Sequence, residues 1–205
     1  MLTLGISTSS KYPSAAVANG CVLLSFCTDK SGRSHSATLM ELTEAALLKA
    51  GVDKSQLEAI AVDVGPGSFT GVRIGVSCAN AMAYALGIPV IPVCSLMALR
   101  NGAEREGTVA SVIDCRNGNC YAAVFEDGEA ITAPCAAVTS EVLAALPADT
   151  VVCGDPSGWQ GQGIAAAPTA SLVLLEAAME EVAPTAYAVP TYLRPSQAER
   201  MKNNA

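Results

Sequence analysis

A glycine or alanine falls at every fourth position from Gly71 to Gly87: Gly71, Gly75, Ala79, Ala83 and Gly87. Arg73 is the single charge in this segment, and Gly87 supplies a stop, so the stretch reads as one helix. Residues four apart stack on one helical face, so these five make a ridge with almost no side chain. Two glycines inside a helix cost roughly 1 kcal/mol each relative to alanine. Close approach of another backbone offsets such a cost, and rows at this spacing favour a steep crossing. The ridge is a docking face, for a neighbouring element of the same fold or for a second protein. Ile74, Cys78, Met82 and Leu86 run beside it and supply apolar contact.

An apolar run, Ala59 to Val64, precedes the helix and is short enough for a buried strand. Between them lies Gly65-Pro66-Gly67-Ser68-Phe69-Thr70. The order is strand, tight glycine turn, helix, with Ser68 or Thr70 available to cap the first turn. A phosphate-binding loop is the tempting reading, because N–H groups at a helix start attract anions. The G-x-x-x-x-G-K-[ST] pattern is absent, no lysine follows the glycines, and Arg73 is the one nearby cation.

Half of the 205 residues are apolar and only 4% aromatic, so small aliphatic side chains carry the interior, as suits an α/β protein. Twelve basic residues stand against 19 acidic, for a net charge of −7. That balance argues against autonomous nucleic-acid binding, which rests on neutralising phosphates. None of the eight cysteines forms a C-x-x-C pair, and most lie in apolar runs. Together with an N-terminus that reads as a first strand, this points to a reducing cytoplasm. The uncharged run from Ile74 to Leu99 is broken by Gly87, Pro89 and Pro92, so helix plus buried strand is expected, not a membrane span.

In chain order, strands are expected over 2–7, 14–18 and 22–28, the last two joined at Asn19-Gly20. A helix over 36–50 buries Leu39, Leu42, Ala46 and Leu47 and stops at Gly51. Asp53 caps a short turn. The strand at 59, the ridge helix, a strand over 90–93 and a helix from a Ser95 cap to about 103 complete the order of a ribonuclease H-like lobe, residues 1–104. The charge cluster Glu104-Arg105-Glu106 marks the junction. Residues 105–205 form a smaller, related lobe. It has strands at 109–114, 121–125, 130–132 and 150–153, a helix over 141–146, and a helix after Thr169 with Leu172, Leu175, Met179 and Val182 on one face. A disordered tail is expected to end it.

Gly65 to Gly75 resembles the signature of the TsaB (YeaZ) family, which serves the synthesis of threonylcarbamoyladenosine in tRNA. His35 with Leu39, Asp114-Cys115-Arg116 before Tyr121, and Tyr192-Leu193-Arg194 match further family pieces in order. The resemblance implies an actin-like ATPase fold of two ribonuclease H-like lobes with mixed sheets and flanking helices. It implies a non-catalytic scaffold for the transferase subunit TsaD, joined by the ATPase TsaE, with tRNA met only through the complex. ATP and metal are then expected on those partners, with no cofactor in this chain. The implied interface is the ridge helix: Gly71, Arg73, Ile74, Gly75, Cys78, Ala79, Met82 and Ala83. It also serves a homodimer when the partner is absent. On this reading Gly75→Leu or Ala79→Trp abolishes association and leaves the monomer folded. Related nucleotide-binding proteins carry an aspartate where this chain has Ser7.

The residues themselves favour the same side. A catalytic zinc or iron site needs about three protein ligands, and the chain has one histidine. His35 is read as a helix-start residue, Asp114 with Arg116 as a turn, Arg194 as half of an unread pair, and Trp159 as filling between lobes. The alternative is a kinase or nucleotide hydrolase of the actin-like class, using the cleft between lobes.

Overall fold

The computed structural model describes residues 1–103, 107–155, 157–179 and 182–195. The expected junction at 104–106 and the tail from 196 lie outside them. Among the described residues the chain forms two mixed sheets with flanking helices. The first sheet takes β1 (Leu2–Ser7), β2 (Ser14–Asn19), β3 (Val22–Thr28), β4 (Ala59–Asp63) and β5 (Val90–Val93) in the order β3-β2-β1-β4-β5. β1 pairs antiparallel with β2 and parallel with β4. The second sheet repeats the scheme. β6 (Thr108–Asp114) pairs antiparallel with β7 (Asn119–Glu126) and parallel with β10 (Val151–Gly154). β8 (Glu129–Ala130) and β9 (Cys135–Val138) flank β7, and β11 (Gly163–Ala165) flanks β10. β9 and β11 go beyond the sequence expectation, being short runs without the polar alternation that marks a strand.

Strand alternation decides which helix covers which face. Leu4, Ile6, Ala15, Val17, Ile60 and Val62 point to one side, where α1 (His35–Ala50) and α2 (Phe69–Leu86) lie. Ala16, Ala18, Ala59 and Ala61 point to the other, where α5 (Ala170–Met179) packs. On that second face β2 and β4 present alanines and β1 presents Gly5, so the helix comes close. A Cβ on Gly5 would stand 2.6 Å from Leu174 Cγ and 2.7 Å from the Ala170 carbonyl. The fully buried residues of α5 are Ala170, Val173, Leu174 and Glu176; of the residues expected there, Leu172 and Val182 pack partly buried against the same cluster and Met179 is exposed. α5 is apolar almost all round, which hides its buried side from a periodicity reading. It comes from the chain's second half, yet it covers the first sheet.

α3 (Ser95–Arg100) joins the two sheets, and α4 (Thr139–Ala145) packs on the second. Ala98 faces the first sheet, Leu96 packs with Phe125, and Leu99 with Val109, Val151 and Cys153. Burial pushes the Cys153 thiol up to about 11, so it packs as a neutral small group and donates to the Leu99 carbonyl at 3.2 Å. The N-cap of α3 is Cys94; Ser95 is its first helical residue and turns its hydroxyl to Asp63 instead. Trp159 packs within the second sheet's core beside Leu143, not between the lobes.

At the end of α3 the buried Arg100 pairs with Glu176 at 3.2 Å, donates to the Gly128 carbonyl, and lies over the Phe125 ring. Asn101 Nδ2 adds a 2.8 Å bond to Glu176. Truncating one member of a buried pair strands the other's charge. Glu176→Ala is expected to cost about 2 kcal/mol, less than a full pair because Arg100 keeps Gly128. Urea unfolding checks this, and an unchanged midpoint would show the pair to be dispensable.

Candidate functional site

The glycine loop is held by a buried carboxylate. Asp63, at the end of β4, is fully inaccessible to solvent. Its Oδ2 accepts from Ser7 Oγ at 2.8 Å and from Ser9 Oγ, and its Oδ1 accepts from Ser95 Oγ and from Gly65 N at 3.0 Å. Burial pushes its carboxyl above the ordinary range, and the four hydrogen bonds pull partly back. The sequence places no carboxylate at Ser7. The fold brings one to it from the neighbouring strand, already saturated by the chain's own donors.

From this knot the loop runs over Gly65, at φ +94°, through a cis Gly65–Pro66 peptide. Ser68 N donates to the Ser9 carbonyl at 2.7 Å. Ser68 is the N-cap of α2, its Oγ accepting from Gly71 N at 3.2 Å, while Thr70 is exposed. A Cβ on Gly67 would meet the Ser9 carbonyl at 2.6 Å.

The ridge is covered from within. A Cβ on Gly71 would stand 2.0 Å from the Thr8 carbonyl oxygen, and one on Gly75 2.3 Å from Thr8 Oγ1. Thr8 Oγ1 itself donates to the Gly71 carbonyl at 2.7 Å. Ala79 and Ala83 are fully buried against the first sheet. This corrects the expected interface: Gly71, Gly75, Ala79 and Ala83 dock on their own fold and have no surface left for a partner. Tight spacing of small residues signals a close neighbour, and here the neighbour is the end of β1.

The solvent face of α2 is the next row round. Arg73, Ser77, Ala81, Tyr84 and Ala85 are exposed, Tyr84 at 91%. Ile74, Cys78 and Met82 are half-buried toward α1, where Cys78 Sγ lies 3.4 Å from Sδ of the exposed Met40. On the other flank Asn80 exchanges two hydrogen bonds with the Ala188 backbone, at 2.8 and 2.9 Å.

Three residues singled out in the sequence meet at the start of α2. Phe69 and Tyr192 stack with ring centroids 4.5 Å apart. The Arg73 guanidinium lies 4.0 Å above the Phe69 ring, and its Nε donates to the Tyr192 hydroxyl at 2.8 Å. The others stand apart from this cluster. His35 opens α1 with Nε2 3.2 Å from the Lys11 carbonyl. Asp114 accepts from Arg116 N at 2.8 Å, closing a turn in which Arg116 has φ 71°. Arg194 donates to Cys115 Sγ at 3.2 Å.

Residues 28–152 match the family described as TsaD: tRNA N6-adenosine threonylcarbamoyltransferase. The tRNA threonylcarbamoyladenosine biosynthesis protein TsaB of Escherichia coli is 32% identical over 174 residues, covering 78% of this chain and 73% of that protein. The chain belongs to the TsaB family. YeaZ from Pseudomonas aeruginosa, the same family by its other name, superposes with a TM-score of 0.78 at 30% identity, over 94% of this chain and 99% of that one. The fold is the actin-like ATPase fold: the ethanolamine utilization protein EutJ from Carboxydothermus hydrogenoformans shares it at 13% identity, with a TM-score of 0.56 over 86% of this chain and 90% of that one. The chain spans only 40% of the length of an uncharacterized Mycobacterium leprae protein to which it is 32% identical over 145 residues. Among the described residues no helix is long and apolar enough to cross a membrane.

Proposed function

We propose that this chain is a non-catalytic docking subunit in the biosynthesis of threonylcarbamoyladenosine in tRNA. It binds the transferase subunit TsaD through the outer face of α2, with TsaE joining the assembly and tRNA reached only through it. Alone, it pairs with a second copy through the same face. ATP and metal belong to the partner subunits. Its place is the cytoplasm.

One observation carries this reading. The outer face of α2 presents small residues, Ser77, Ala81 and Ala85, beside exposed Arg73 and Tyr84, and half-buried Ile74, Cys78 and Met82 border it. A partner helix can lie close on such a row. The role of the Escherichia coli relative in tRNA threonylcarbamoyladenosine biosynthesis supports the pathway. The saturation of Asp63 by four donors speaks against the nucleotide-hydrolase alternative, because a carboxylate so enclosed has no free oxygen for a magnesium ion.

Titration calorimetry against TsaD of the same organism tests the proposal. Ala81→Trp is expected to weaken binding by about 30-fold, with thermal unfolding unchanged. Wild-type binding that survives Ala81→Trp places the contact elsewhere. Magnesium-dependent ATP turnover by the isolated chain, lost on Asp114→Ala, would replace this reading with the enzymatic one.

A further inference from the structure

We propose that Arg73 is a pre-organised receptor for one carboxylate on the docking partner, held ready by Phe69 and by Tyr192 of the C-terminal segment. This rests on the docking reading above and adds what the face recognises.

The guanidinium is fixed on two sides. Phe69 lies beneath its plane, and Tyr192 occupies Nε. Neither terminal nitrogen bonds a described residue, and no described carboxylate pairs with Arg73, although the side chain is exposed. Arg33 and Arg100, by contrast, are each paired with a carboxylate. A free Arg loses rotamer freedom when it binds, whereas one already clamped loses less. What remains available is the fork of two terminal N–H groups, which matches two carboxylate oxygens side by side.

A phosphate has the same bidentate geometry, so the surroundings decide. Nucleic acid binding sums several phosphate contacts. Arg73 is the one charged residue of α2; Ser77, Ala81 and half-buried Ile74 and Cys78 follow it along the helix. The chain as a whole carries 19 acidic residues against 12 basic. A single rigid cation at the end of a small, apolar row is a register pin for a protein surface. Tyr192 is then a positioning residue, which couples the C-terminal segment to docking without touching the partner.

Calorimetry against TsaD, with tRNA transcript as a second probe, tests this. Arg73→Ala is expected to weaken TsaD binding by about 30-fold and Arg73→Lys by about tenfold, because an ammonium keeps the charge and loses the fork. Tyr192→Phe is expected to weaken wild-type binding by about threefold and to add nothing in the Arg73→Lys background. Arg73→Glu is expected to regain affinity when one acidic residue of TsaD is changed to Lys. Thermal unfolding of each variant reports the fold separately. Equal binding by wild type and Arg73→Ala overturns the proposal and leaves the docking reading intact. Full rescue by Arg73→Lys overturns the bidentate assignment. Loss of tRNA binding with TsaD binding unchanged transfers the site to a phosphate and overturns the carboxylate. Failure of the wild type to bind TsaD overturns the docking reading and this one with it.

Discussion

Gly71→Ala is expected to destabilise the isolated chain by about 3 kcal/mol, a large share of the 5–15 kcal/mol typical of a whole protein. Helix propensity alone gives the opposite sign, a gain of roughly 1 kcal/mol. Packing wins because the new methyl would sit 2.0 Å from a backbone oxygen, that of Thr8. The Thr8 carbonyl cannot withdraw freely, since Ser7 and Ser9 on either side are both bonded to Asp63. Gly75→Leu adds three more carbons beyond a Cβ already 2.3 Å from Thr8 Oγ1, and is expected to prevent folding. Ser77→Ala, on the exposed side of the same helix, is the control and leaves stability unchanged or slightly raised. Urea unfolding reads all three. Gly71→Ala unfolding with the wild-type midpoint would mean that the ridge is not packed against β1 in solution.

That outcome also separates what sequence can say about such a helix from what it cannot. A four-residue row of glycine and alanine states how near a neighbour comes. It does not state which neighbour, because Thr8 lies 63 residues from Gly71 along the chain. Helix ends were legible, since Gly51 and Gly87 both adopt the left-handed conformation that stops a helix. The hairpin at Asn19-Gly20 and the repeat of a mixed sheet followed from local turn chemistry and strand order. The face of α5 was only partly legible, because nearly every residue in it is apolar and periodicity does not single out one side. Nor was the cluster of Phe69, Arg73 and Tyr192, whose members lie up to 123 positions apart. Asp63 carried a signal that the strand reading passed over. A carboxylate inside an apolar run must find donors when buried, and Ser7-Thr8-Ser9-Ser10 at the end of β1 supplies a run of hydroxyls.

Asp63→Ala is expected to cost roughly 3–5 kcal/mol, because it removes the shared acceptor of four buried donors at once. Ser7 and Ser9 come from the end of β1, Ser95 opens α3, and Gly65 N opens the glycine loop. Losing their common acceptor loosens the first strand, the loop and α3 together. Ser7 Oγ has a second acceptor in the Pro168 carbonyl at 3.1 Å, so its share of the loss is the smallest. Asp63→Asn keeps the shape and one acceptor oxygen, and is expected to cost less. The pair of variants also isolates the charge. Burial raises the folded carboxyl above its ordinary value of 3.8, so the folded chain holds this proton more tightly than the unfolded one. The associated stability is fully present below that value and is lost as pH rises through the raised folded value. Unfolding free energies measured from pH 3.5 upward are therefore expected to show wild type losing ground to Asp63→Asn with rising pH. A difference that stays flat, or grows in favour of wild type, would mean that the four donors outweigh burial and hold the carboxylate ionised throughout.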